Sequence, residues 1–127
     1  MLTDLAAEQI RALGAEPETD ALVAWAIGWE WWNGDFDGER IIYVRPLHVG
    51  PGRVFAPTGD PSAAKQATDA MAERTGWDWS LYSKAGKFHF TWYTPLAHAR
   101  HIHIDAAPTE ELARCRAVLL AAKEKPR

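Results

Sequence analysis

Apolar residues recur at helical spacing from the start of the chain. Leu2, Leu5, Ala6, Ile10 and Leu13 fall on one face and predict a helix over 2–13. Thr3 or Asp4 can cap it, and Gly14 stops it. After a linker holding Pro17, Leu22, Val23, Ala26 and Ile27 mark a second helix over about 19–27, with Gly28 near its end. Residues 30–38 break the pattern with Asn33-Gly34 and Asp37-Gly38, two strong turn dipeptides, and read as a turn-rich segment. The β-branched and aromatic run 41–45 predicts a strand. Residues 46–60 hold Pro46, Gly50, Pro51, Gly52, Pro57 and Gly59, and read as a long loop with a short extended piece at Val54-Phe55. Loops of that length in small domains often carry function.

The second half is more regular. Asp60-Pro61-Ser62 is an N-cap followed by proline at the first helical position. It opens a helix to about Arg74, with Ala64, Ala67, Ala70 and Met71 inward and Gly76 at its end. Residues 77–83 and 87–94 form a hairpin around Lys84-Ala85-Gly86. Phe88, Phe90 and Trp92 alternate with Lys87, His89, Thr91 and Tyr93, so the two sets lie on opposite faces. Over 100–106, Ile102 and Ile104 alternate with His101, His103 and Asp105. A last helix follows Pro108, with Thr109, Glu110 and Glu111 in its first turn and a stripe of Leu112, Cys115, Leu119 and Ala122. Lys123 and Lys125 suit the negative end of its dipole. The order α-α-β-loop-α-β-β-β-α predicts an α+β domain in which an antiparallel sheet of about four strands packs against helices, αβα-sandwich-like.

Composition narrows the class. At 127 residues, 47% hydrophobic and 24% charged, the chain fits one globular domain over 1–127. A net charge of −3 lacks the basic excess of a general nucleic-acid binder. Cys115 is the single cysteine, so no intramolecular disulfide can form, which favours a reducing compartment. No basic region precedes an apolar run at the N-terminus, and no apolar stretch approaches the ~20 residues of a membrane helix. Cytoplasmic location without membrane association is therefore expected. Seven tryptophans are many for this length, and Trp25, Trp29, Trp31 and Trp32 lie in one short segment. Trp serves core edges and interfaces alike.

Three stretches resemble the phage ABA sandwich domain family. Asp20-Ala21-Leu22-Val23-Ala24 followed by Ile27-Gly28-Trp29 resembles its opening helix and Gly-Trp exit. Pro57-Thr58-Gly59-Asp60 leading into Ala63, Ala64 and Met71 resembles its Pro, polar turn, Asp and helix element. Ala106-Ala107-Pro108-Thr109 with 112–117 is similar to its Ala-rich closing helix. The resemblance covers about 20–122, with Lys65 roughly where many relatives carry Trp. It implies an α+β sandwich encoded by a phage or prophage, and brings no reaction, cofactor or catalytic residue with it.

Among chemistry-bearing clusters the histidines stand first. His101, His103 and Asp105 share a strand face with His98, Arg100 and His89 nearby. Two histidines two apart on a strand suit zinc, and His98, Arg100 and His101 suit phosphate oxygens; the plainer reading is a solvated polar face. Asn33, Asp35, Asp37 and Gly38 imitate half of an EF-hand loop, but Val44 stands at position 12, where a bidentate Glu is needed, and Arg40 at position 8. An acidic turn is the better reading. Cys115 reads as core, and none of Ser62, Ser80 and Ser83 sits in a nucleophile elbow. No metal, cofactor or catalytic residue is expected.

The leading expectation is a non-enzymatic phage or prophage accessory binding protein, in one version a counter-defence protein that sequesters a small nucleotide signal. There Trp31 or Trp32 stacks a base while Arg53, His98, Arg100, His101 and His103 supply phosphate contacts. One alternative is a protein-interaction or homo-oligomerising module that targets a host factor through the 25–32 tryptophans. Another is a small His-dependent enzyme.

Overall fold

The computed structural model describes residues 4–46, 51–94 and 101–124. Helix α1 (Ala7–Arg11) is shorter than the predicted 2–13. It starts after Ala6, whose N–H donates to Gln9 Oε1 at 2.7 Å, rather than at Thr3 or Asp4. Helix α2 (Pro17–Ala26) starts earlier than expected because Pro17 is its first residue rather than part of a linker; a fixed φ and a missing N–H cost nothing there.

The turn-rich reading of 30–38 is corrected. Strand β1 (Glu30–Phe36) pairs antiparallel with β2 (Glu39–Arg45) over its full length, from Glu30 opposite Arg45 to Phe36 opposite Glu39. Only Asp37-Gly38 turns. Both residues have positive φ (50° and 80°), as a two-residue hairpin whose twist matches the strands requires. Asn33-Gly34 lies inside the strand. A Cβ on Gly34 would sit 2.1 Å from the ring of Tyr43, which reaches over from β2. Strand β3 (Arg53–Val54) adds a short third strand to β2, one residue upstream of the expected piece, and the Phe55 N–H donates to Ile42 O at 2.8 Å.

Helix α3 (Pro61–Thr75) is capped as expected. Asp60 accepts the Ser62 N–H at 3.0 Å, and Gly76 (φ 74°) closes the other end in the left-handed region. Strands β4 (Asp78–Lys84), β5 (Lys87–Tyr93) and β6 (His101–Ala107) form a second antiparallel sheet. Phe90, Trp92, Ile102 and Ile104 point to the core, and His101, His103 and Asp105 point to solvent. A register shift between Phe88 and Phe90 is absorbed where Ala106 takes φ 56°.

Helix α4 (Glu110–Glu124) is the centre of the molecule, buried on more than the predicted stripe. It packs on β5 and β6 on one side and on α2 and α3 on the other, while α2 packs on β1 and β2. Small residues allow this: Ala113, Ala117 and Ala121 are fully buried. The Trp92 indole crosses from β5 to donate to Ala117 O at 2.8 Å. The protein is therefore an α+β fold with antiparallel sheets packed on helices. The layers run sheet, helix, sheet, and the strands number six among the described residues, in two sheets of three. No helix among the described residues is long and apolar enough to cross a membrane.

Candidate functional site

Helix α2 presents Glu18, Ala21 and Leu22 on one face, as positions three and four apart must. The inward face of the first sheet supplies Trp31 from β1 and Arg40 from β2. With Leu5 these residues line a cleft of about 310 Å³. Its walls are apolar except at one end. There Arg40 Nη1 donates to Glu18 Oε1, and Arg40 Nε donates to Asn33 Oδ1 at 2.7 Å. Both members of this ion pair are open to water, at 40% and 60% exposure, so it is a loose closure that a ligand can compete for. The Leu5 wall is tied down by Lys123, whose Nζ donates to Leu5 O at 2.6 Å.

Also on α2, but outside the cleft lining, Asp20 is buried and accepts the Thr58 N–H at 3.0 Å. Burial pushes its carboxyl up to about 6, against the opposing pull of the Thr58 hydrogen bonds. This bond pins the segment before α3 to the start of α2. Cys115 is fully buried and its thiol is pushed far up by burial, so it is packing and not a nucleophile.

The residues singled out from the sequence do not meet at one place. Trp31 lines the cleft. Trp32 lies on the opposite face of the same strand, stacked against Tyr43 with centroids 5.9 Å apart. Arg53 sits over the Trp29 ring at 5.7 Å and donates to Gln66 Oε1 at 3.0 Å, so it is engaged at the β3–α3 side. His101 and His103 are neighbours on the outer face of the second sheet. His98 and Arg100 lie outside the described residues. Asn33, Asp35 and Asp37 run along β1 and into its hairpin turn, which is not the geometry of a calcium loop. Among the described residues no group of three or more His, Cys, Asp or Glu is placed to hold a metal ion.

Arg40 is the residue that sequence reading missed. It was legible only as an inward position two and four residues before Ile42 and Val44, and its partner Glu18 lies on another element. No protein-family model and no curated protein matches the chain.

Proposed function

We propose that the protein is a binding protein whose cleft between α2 and the β1–β2 hairpin takes a small, flat, anionic ligand. The observation that carries this reading is the joint presence of an indole wall, Trp31, and a cation, Arg40, in one apolar cleft. Trp31 offers a surface for a ring, and Arg40 offers a planar fork for a carboxylate or phosphate once Glu18 is displaced. The cleft lies at the small end of the roughly 300–1,000 Å³ typical of ligand sites. That favours a mononucleotide or aromatic acid over a cyclic dinucleotide. Capture of a small nucleotide signal by a phage accessory protein fits this reading, with Arg40 in the role first given to Arg53, Arg100 and the histidines.

The test is calorimetric titration with adenosine monophosphate, cyclic nucleotides and benzoate, on wild type and on Glu18→Gln and Arg40→Gln. One ligand class is expected to bind and be recovered unchanged. Arg40→Gln should weaken it at least about tenfold, the equivalent of about 1.4 kcal/mol, and Glu18→Gln should tighten it by freeing Arg40. Equal affinity in all three proteins, or no binding by any probe, overturns the reading. Recovery of an altered ligand replaces it with an enzyme.

A second reading rests on the outer face of the first sheet, where Trp32, Phe36 and Val54 are 38%, 65% and 55% exposed. Apolar surface gathered on one sheet face suits a protein interface. Sedimentation should then show self-association that Phe36→Glu breaks at least about tenfold; monomers alone at all concentrations remove the self-associating version.

A further inference from the structure

We propose that His101 and His103 form a two-imidazole chelate for a divalent late first-row metal ion such as Zn²⁺, Ni²⁺ or Cu²⁺. The site is independent of the cleft. Both residues are exposed on β6 and project to the same face, because side chains two apart on a strand must. Their ring centroids are 6.0 Å apart, with the planes at 82°. Two imidazoles on one ion, each bonded at about 2.1 Å, hold their centroids roughly 5 Å apart. Small rotations about exposed side-chain bonds close that gap.

Each ring is positioned by its cross-strand neighbour on β5. His103 pairs with Thr91 and His101 with Tyr93 in the sheet register. Thr91 Oγ1 lies 2.9 Å from His103 Nδ1. When Nδ1–H donates to that hydroxyl, Nε2 keeps its lone pair, the arrangement found behind most metal-bound histidines. Tyr93 meets the His101 ring edge-on at 4.8 Å, and its Oη is fixed by Ser80 Oγ at 2.9 Å. His89 is held differently. Its Nδ1 accepts the Ala106 N–H at 3.3 Å and lies 3.6 Å from Asp105, and its ring stacks on Tyr82 at 4.8 Å. It is therefore the internal control. Among the described residues no third side-chain ligand is grouped with them, and a two-imidazole set with further positions open suits ions that accept nitrogen–oxygen sets.

The experiment uses untagged protein titrated with ZnCl₂ and NiCl₂, and electron paramagnetic resonance of the Cu²⁺ adduct. One ion per chain is expected, with two nitrogens in the copper spectrum. His101→Ala and His103→Ala should each weaken binding at least about tenfold, and His89→Ala should leave it unchanged. Thr91→Val, which keeps shape and loses the hydroxyl, should weaken it by about 10–100-fold. Wild-type affinity in the His101/His103 double variant, or a single coordinated nitrogen, overturns the proposal. Unchanged affinity in Thr91→Val overturns the positioning role of Thr91.

Discussion

Asp20 shows how one buried carboxyl couples stability to pH. It is 6% exposed, and its carboxylate accepts the Thr58 N–H that holds the segment before α3. Its folded-state pKa of about 6 lies above the ordinary 3.8, chiefly through burial. The folded chain therefore binds this proton more tightly than the unfolded chain. The stability this group contributes is fully present below about 3.8 and is lost as pH rises through about 6. The loss is on the order of 2–3 kcal/mol, at 1.36 kcal/mol for each pH unit between the two values. Asp20→Asn keeps an oxygen for the Thr58 N–H and can return an amide N–H to the Thr58 hydroxyl, without the charge. The expected outcome is a variant several degrees more stable than wild type at pH 7.5, with the difference shrinking towards pH 4. Thermal melts across that range check it. A variant no more stable at pH 7.5, or a difference that does not change with pH, contradicts the assignment.

At the scale of elements, what was legible in the sequence was what local chemistry dictates. The Asp60-Pro61 start and Gly76 stop of α3 are satisfied by the chain's own neighbours, so they can be read without knowing the fold. The alternation in β5 and β6 could be read because one face is core and the other water. Strand β1 could not. Its sequence Glu-Trp-Trp-Asn-Gly-Asp-Phe alternates poorly, since an aromatic ring is useful on either face. Trp31 faces the cleft, and Trp32 lies on the outer face of the sheet. Gly34 looked like a turn residue and is instead the gap under Tyr43. Gly52 does the same for Trp32, whose ring a Cβ there would meet at 2.4 Å. These glycines are explained by rings on neighbouring strands, a pairing the linear sequence does not announce. The candidate site follows the same rule. Trp31 was legible as an aromatic anchor, but Arg40 gains its meaning only when β2 meets α2; the histidines part from Trp31 because they lie on the other sheet, and Arg53, on the same sheet as Trp31, is held instead by Trp29 and Gln66.

At the scale of the molecule, the two sheets are joined through helices rather than through shared strands. The first sheet rests on α2, α2 rests on α4, and α4 rests on the second sheet. The buried apolar residues form one cluster that runs through all of these layers, from Ile42 and Val44 to Phe90 and Ile104. Helix α4 takes part in most of the contacts that the helices make, and Leu119, fully buried on it, belongs to that cluster. If the layers depend on α4 in this way, loosening it should destabilise both sheets together. Leu119→Ala should cost about 2–5 kcal/mol, the transfer of the lost side chain plus the cavity left behind. Tryptophan reporters sit in both sheets, Trp31 and Trp32 in the first and Trp79 and Trp92 in the second. Indole fluorescence and far-ultraviolet circular dichroism should therefore give one coincident urea transition in wild type, and Leu119→Ala should move both curves to lower urea by the same amount with an unchanged slope. A first sheet that melts separately, leaving the second intact, would show that α2 and the β1–β2 hairpin are a detachable layer. The cleft between them would then open by unfolding, and ligand binding there would stabilise only that layer.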